Sequence, residues 1–582
     1  MADRKTQRRV SGHTNRRKYI AGLAASSVVG LAGCLGDDGD DGDDGDDGDD
    51  GVDAGGARAE NTLSDDELDG YEPLDDVDVI GFNRQTATYH VESQQLIEGY
   101  WQNLGLGVSF EQLDLGPLFE RFNAHDFDMC AMNYVARPER LDPTMFLYPY
   151  FHSDFVESSN SGGWEHEEYD EEVELVNTVA DPEERREHVY RCQEILAEEV
   201  PHIFCYHQDS FNVLWPHEHE NWQAMDGTMP WWNPWTLQEL SPANDEGTTV
   251  SWATTLDPPD LNPMDVSTNT ENIALLMNYD RLVRIGFDLQ PEPWAAEEVE
   301  AVDGSTFRVT IRDDMVFHDG EPVTVEDVKF SMDYYIEWQH PYYEDVWTPV
   351  DNVEILDDQT VQFNLNQEFA PFEMISLSNL FILPEHVWGD VVEEEGLDNP
   401  TQWTDVDLTG SGPFQIVDHQ DSESLTYETF DDHFHDFEVE ELFWDIYGSE
   451  APSVGDVETG ARTFAQDTAP ALWDAAQTNE DVETRASPTW EFWAVSVNSR
   501  REPFNDREFR KALSHAIDRD ELVDLVFYGE SARAHSPIAP ANEFFYNDDI
   551  GIDDGGLERA EEILADAGYK WDQDGTLYYP TD

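Results

Sequence analysis

The side chains best placed to do chemistry are few. Cys34 follows Leu31-Ala32-Gly33 in the form of a lipobox, whose cysteine takes a lipid and becomes the first residue of the mature chain. Ahead of it stand Arg16 and Arg17, within Asn15-Arg16-Arg17-Lys18-Tyr19-Ile20, which resembles the twin-arginine export motif. The apolar run over residues 19–33 is shorter than the roughly 20 residues that a membrane span needs. Residues 1–34 therefore read as an export signal that ends at a lipidated thiol. His217-Glu218-His219 and His433-Phe434-His435 lack the i, i+4 spacing of zinc ligands on a helix, and read as exposed, unliganded histidines. Cys130, Cys192 and Cys205 show no CxxC spacing and read as small buried residues. There is no nucleophile elbow, phosphate-cradling loop or dinucleotide fingerprint. The expectation is a protein that is no enzyme and uses no metal or cofactor.

The elements that must position any site sit in an unusually acidic chain. Its 582 residues suggest two or three domains, and 39% hydrophobic with 12% aromatic residues is ample for packed cores. Asp and Glu number 128 against 31 Lys and Arg, a net charge of −97. Such a charge opposes compaction in dilute solution. At molar salt the Debye length falls to about 3 Å and most of that repulsion is screened, so the composition reads as an adaptation to brine. It also excludes nucleic-acid binding, since few cations remain to neutralise phosphates. The Gly-Asp-Asp repeat at residues 36–51 has nothing to bury and reads as a solvated tether, with disorder extending to about residue 69.

Beyond the tether the pattern is α/β. Val77-Asp78-Val79-Ile80 reads as a buried strand, Leu96 to Leu104 as one face of a helix that stops at Gly105, and residues 108–113 as a second strand. Asp181-Pro182 opens another helix, ended by Pro201 and followed by a strand at Ile203-Phe204-Cys205-Tyr206. Residues 306–311 and 361–365 alternate like half-buried strands. A short helix is expected at residues 327–332, and amphipathic helices at 509–527 and 557–567.

Residues 250–580 resemble the extracellular solute-binding proteins of family 5, the oligopeptide-, dipeptide- and nickel-binding group. The resemblance is carried by Leu256-Asp257-Pro258 through Leu261-Asn262-Pro263, by Asn278-Tyr279-Asp280-Arg281-Leu282-Val283, and by Val316-Phe317-His318-Asp319-Gly320-Glu321-Pro322. Ile382-Leu383-Pro384-Glu385-His386, Gly410-Ser411-Gly412-Pro413-Phe414 and Pro503-Phe504-Asn505-Asp506-Arg507 add to it. The family's late region resembles the front of this chain: Asp142-Pro143, Ser161-Gly162-Gly163-Trp164 and Arg191-Cys192-Gln193 through Glu199-Val200-Pro201. The order implied is a circular permutation. On that reading residues 1–34 are the signal, 35–70 the tether, and 71–240 the late lobe segment with its closing strands. Residues 241–249 are a joining loop, 250–488 the first lobe, and 489–582 the hinge crossing with the start of the second lobe.

The resemblance implies an α/β, two-lobed periplasmic-binding-protein-like fold, closing on a solute at a hinge. It implies a lipid-anchored receptor on the outer face of the cell membrane, monomeric, that binds a peptide or similar small polar solute and delivers it to the permease of an ABC importer. The alternative is a surface sensory or structural protein that retains the scaffold without transport. In peptide-binding members a carboxylate before the Asp-Pro loop meets the ligand's amino terminus. Here Tyr134 leads into that loop, and Glu139 or Asp142 matches by spacing. Arg137 or Arg140 could instead grip a carboxylate or phosphate. Asn262, Gly410 and Ser411 are expected to face the cleft, with glycine letting the backbone approach a ligand. Trp490 and Trp493 are candidate walls; Trp231, Trp232 and Trp235 are expected to cover a lobe.

Overall fold

The computed structural model describes residues 56–84, 88–135, 141–227, 229–244, 247–550 and 555–581. Arg16, Arg17, Cys34, the Gly-Asp repeat, Arg137, Glu139 and Arg140 lie outside the described residues, so the expectations placed on them have no structural counterpart.

Two mixed sheets organise the molecule. A six-stranded sheet has the order 532–533, His202–His207, Phe492–Val497, Met129–Tyr134, Val77–Phe82 and Val108–Leu113. Val77–Phe82 runs parallel to both of its neighbours, and Phe492–Val497 runs antiparallel to both of its own. Helices cover this sheet on both faces, which is why its central strands are almost wholly buried rather than alternating in burial. One face builds a core around Trp101, Trp493 and Tyr206, the other around Phe146, Phe204 and Phe492. A seven-stranded sheet takes Phe414–Gln420, Ser424–Thr429, Glu441–Ile446, Thr249–Thr254, 464–465, Asp209–Leu214 and Glu483–Pro488 in that order. It shares a lobe with a four-stranded antiparallel sheet that includes Thr306–Ile311 and Thr360–Leu365, both alternating in burial as expected.

Local chemistry explains the main elements. The helix Thr88–Leu104 buries Leu96, Ile97, Trp101 and Leu104 and stops at Gly105, whose φ of 101° suits glycine. A Cβ at Gly105 would stand 2.5 Å from the Gly575 carbonyl oxygen, so the two segments could not approach as they do. The helix Pro182–Glu199 starts where the Asp181 carboxylate accepts from the backbone N–H groups of Glu183 and Glu184, at 3.1 and 3.0 Å. The helix expected at 327–332 is longer, Val325–Trp338, because Thr324 and Asp327 form a capping box before it. The single helix expected at 509–527 is two, Arg507–His515 and Arg519–Val526; Asp518 caps the second, its carboxylate accepting from the Glu521 N–H at 2.9 Å.

The two ends of the described chain lie together. Tyr71–Pro73 pairs antiparallel with Leu577–Pro580, and the Thr581 N–H donates to the Gly70 carbonyl at 2.9 Å. The Trp571 indole N–H donates to the Leu104 carbonyl at 2.8 Å. Residues far apart in sequence thus complete one another's backbone bonding.

Some expectations need correction. His219 and His433 are buried rather than exposed, and His433 Nε2 lies 3.4 Å from the buried Asp280 carboxylate. Trp231 and Trp232 lie fully inside the core of the lobe with the seven-stranded sheet, and Trp235 is partly buried against it. Cys130, Cys192 and Cys205, by contrast, are buried as expected. Among the described residues no helix is long and apolar enough to cross a membrane, and no group of three or more His, Cys, Asp or Glu is placed to hold a metal.

Candidate functional site

Among the described residues the chain crosses between the two large sheets at Gln208 and again at residues 489–491. The inbound and outbound strands are neighbours on both sides of the crossing: Asp209 pairs with Pro488 in one sheet, Tyr206 with Trp493 in the other. The Thr489 hydroxyl donates to the Gln208 carbonyl at 2.6 Å and ties the two crossings together. A ribbon of two strands is stiff along its length and yields to twist, the geometry of a hinge between rigid lobes.

A cavity of about 720 Å³ opens against this hinge. Its volume is in the range of cavities that enclose small ligands. One lobe supplies Asp226 and the turn Phe287-Asp288-Leu289-Gln290; the other supplies Trp490, the segment 529–532 and the segment 540–544. The lobes also meet directly. The Ala370 N–H of one donates to the Asn177 carbonyl of the other at 2.8 Å, and Met225, Ile285, Leu289 and Met374 share an apolar cluster with Phe146, Trp490 and Ile538. This is the closed arrangement. A second cavity, of about 520 Å³, is walled by His202, Lys511, Arg519 and His535 within a single lobe, where lobe closure does not act.

The hinge wall is strained and tightly bonded. Leu289 and Ser531, both lining the cavity, hold φ values of 61° and 73°, which L-residues avoid. Ser531 is fixed by a reciprocal pair: the Asp209 N–H donates to its hydroxyl at 3.0 Å, and its own N–H donates to the Asp209 carboxylate at 3.3 Å. Gly227, at φ 89°, donates to the Pro488 carbonyl at 2.8 Å and accepts from the Trp490 N–H at 3.2 Å.

The electrostatics are one-signed. Burial pushes the Asp209 carboxyl up to about 6, with Glu530 and Asp226 adding to the effect. Burial also raises Asp226. On the other face of the ribbon, burial pushes Glu491 up to about 8, helped by Asp467 and Asp209. Burial holds the His207 imidazole neutral, down to about 4.

The residues singled out from sequence do not all converge here. Trp490 does; it is 5% exposed and lines the cavity. Trp493 lies on the opposite face of the sheet, stacked on Tyr206 with ring centroids 5.4 Å apart. Tyr134 is a core residue, stacked on Phe492 and bonded through its hydroxyl to His202 Nε2 at 2.8 Å. Asp142 is held by Arg185, whose guanidinium donates to both carboxylate oxygens at 2.6 and 2.9 Å. Asn262 spends its amide inside its own lobe: its NH₂ donates to the carbonyls of Pro400 and Trp403, and its oxygen accepts from the Met264 N–H. Gly410 and Gly412 do permit a close approach, but to the backbone of Met277 and Asn278, where a Cβ would stand within 2.0 and 2.4 Å of a carbonyl oxygen. Ser411 is buried beside them. Sequence reasoning did not single out Asp209, Asp226, His207 or Glu530. The available signal was positional: His207 ends the strand that the Pro201 stop announces, and Gln208-Asp209 directly follow it.

Residues 290–582 match the model of the bacterial extracellular solute-binding proteins, family 5 Middle. The oligopeptide-binding protein AppA of Bacillus subtilis is 25% identical over 313 residues, 53% of this chain and 56% of that protein. The dipeptide-binding protein of Escherichia coli is 25% identical over 349 residues, 56% of this chain and 64% of that protein. The chain therefore spans less than two thirds of the length of either relative. The solved structure of the Bacillus subtilis oligopeptide-binding protein with a nonapeptide superposes with a TM-score of 0.44 at 21% identity, over 55% of this chain and 64% of that one. With half its length matched by the family model, this chain belongs to the bacterial extracellular solute-binding proteins of family 5.

Proposed function

We propose that the protein is the receptor of an ABC importer, capturing a peptide or similar small polar solute in the interlobe cavity and presenting the closed form to a membrane permease. The observation that carries the reading is a cavity of about 720 Å³ walled by both lobes at a two-strand hinge. A ligand there bridges the lobes and stabilises their closure, so occupancy is converted into a shape that a partner can sense. The test is a thermal-shift screen of short peptides in molar salt. A binding solute raises the unfolding free energy by RT ln(1 + [L]/Kd), and the same solute should contract the protein in small-angle scattering. A folded protein that no peptide, sugar or metal chelate stabilises would refute the reading.

The lipid anchor at Cys34 and twin-arginine export through Arg16 and Arg17 belong to the same proposal. They are supported by the order of basic region, apolar run and cysteine, followed by a Gly-Asp tether. A receptor held outside the cell by one lipidated end could reach its permease along such a tether.

A circularly permuted gene order is also proposed. In support, strands from residues 77–207 and 492–533 share one sheet, and residues 209–214 and 249–254 share the other. Tyr71–Pro73 and Leu577–Pro580 pair as the two arms of a hairpin would. A gene that starts at Thr249 and joins residue 581 to residue 70 through a two-residue turn should fold and bind the same solute with the same affinity. Failure of that protein to fold would count against the permutation.

A further inference from the structure

The charge of the cavity wall deepens the receptor reading, and rests on it, by naming a class of solute. Asp209, Asp226, Asp288, Glu530 and Glu543 line the cavity, and among the described residues no lysine or arginine does. On an open surface in brine, salt screens carboxylates from one another. Here they line a cleft between the lobes that stays open on one side; Asp209 and Glu530 are half-buried, and Asp226, Asp288 and Glu543 reach solvent. Glu530 and Asp226 lie close enough to raise the proton affinity of Asp209, and no cation offsets the burial of Asp209 or Asp226. Behind them, on the far face of the hinge ribbon, Asp467 and Glu491 add the same sign.

The polar groups beside this wall do not neutralise it. His207, 2% exposed and lining the cavity, is held neutral by burial, and its Nε2 makes no hydrogen bond. Gln208 donates its amide to the Tyr89 hydroxyl rather than to a carboxylate. Ser531 supplies one N–H to Asp209, a single dipole against several charges. A half-buried carboxylate without counter-charge, as at Asp209, is costly, and a partner of opposite sign that binds beside it recovers part of that cost. An anionic solute would meet the reverse.

We propose that the cavity takes a cationic solute, one bearing an ammonium or guanidinium group that seats among Asp209, Asp226 and Glu530, with the Trp490 ring as its apolar wall. A cation against an aromatic face gains a further electrostatic attraction when both are drawn out of water. Binding draws the carboxylates into their ionised form, so the complex forms with release of protons near pH 6.

Isothermal titration of the full chain in molar potassium chloride tests this with three matched tripeptides, Ala-Lys-Ala, Ala-Ala-Ala and Ala-Glu-Ala, and with spermidine. Ala-Lys-Ala should bind at least about tenfold more tightly than Ala-Ala-Ala, and Ala-Glu-Ala more weakly than either. Asp226→Asn should reduce affinity for Ala-Lys-Ala more than for Ala-Ala-Ala, and Glu530→Gln, on the other lobe, should do the same if Asp226→Asn fails to fold. Heats measured in two buffers of different ionisation enthalpy should differ in the sense of proton release. Equal binding of the three peptides overturns the charge preference and leaves the receptor reading standing; binding of none of the four probes overturns both.

Discussion

Removing the charge of Asp142 tests whether this residue belongs to the ligand site, as its place before the Asp-Pro loop suggests, or to the core. Asp142 and Arg185 are 4% and 8% exposed and bonded through both guanidinium nitrogens, and Arg185 also donates to the Val176 carbonyl and the Thr144 hydroxyl. The Asp142 carboxylate in turn accepts from the Thr144 N–H at 2.9 Å. Deleting one partner of such a pair leaves a buried charge alone, which costs about 3–5 kcal/mol. For a lobe of about 250 residues, each kcal/mol lowers Tm by about 2–4 °C, so Asp142→Ala should lose roughly 6–20 °C. Asp142→Asn keeps the shape and one acceptor, and should lose about half as much. The double change Asp142→Leu with Arg185→Met replaces the pair by apolar groups of similar volume and should recover much of the loss. Differential scanning calorimetry in molar salt reads all four proteins, and titration with a stabilising solute reads their affinity. A core role for Asp142 predicts large changes in Tm with affinity nearly unchanged in whatever folds. A Tm within a couple of degrees of the parent, together with weakened binding, would refute that role and return Asp142 to the ligand site.

Stability should depend on pH through the hinge carboxylates. Asp209 and Glu491 have folded-state pKa values raised above the ordinary carboxylate range, to about 6 and about 8; their contribution to stability is therefore fully present below that ordinary range and is lost as pH rises through 6 and 8. Unliganded protein should lose about 1.4 kcal/mol per pH unit for each such group as it titrates, and Glu491→Gln should flatten the upper part of the curve; a Tm independent of pH between 5 and 8 would contradict this. Gly227→Ala places a Cβ 3.2 Å from the Trp490 indole nitrogen in a backbone conformation with φ 89°, so it should cost about 1 kcal/mol or more, the penalty of an incompatible backbone, and loosen the cavity, read as lower Tm and weaker solute binding. Cys34→Ala should release the protein from the membrane into the medium, while a protein that stays bound to the membrane would show that something other than a lipid on this residue holds it.

Much of the architecture was legible because it depends on short-range rules. Pro182 after Asp181, the glycine at 105 and the proline at 201 mark boundaries through donors, φ angles and clashes that any sequence reader can apply, and the strands between them have apolar runs that fit nowhere but between helices. The ligand site was less legible, for two physical reasons. Glycine and asparagine announce that a backbone must come close or that an amide must be satisfied, without saying by what. At Gly410 and Asn262 the neighbour is the chain itself. Trp490 sits in the bend before the strand Phe492–Val497 and Trp493 within that strand, so the two part company: one lines the cavity and the other stacks in the core behind it. Nothing in the sequence says which face holds the cleft.

The cavity carboxylates illustrate a deeper limit. In a chain with 128 acidic residues, no aspartate stands out by type or spacing. What distinguishes Asp209 and Asp226 is a lack, among the described residues, of counter-charge around a shared cleft, and that property exists only once residues 207–226, 287–290, 488–490 and 529–544 have been brought together from four parts of the chain. For the same reason the hinge is the right place to look for specificity in so acidic a molecule. On the open surface, molar salt makes every carboxylate nearly equivalent. At a partly buried cleft wall the local dielectric is lower than on the open surface, and carboxylates there interact more strongly with a nearby charge. On the proposed reading, a protein covered in negative charge would choose its solute by charge at the cleft wall, where screening is weakest.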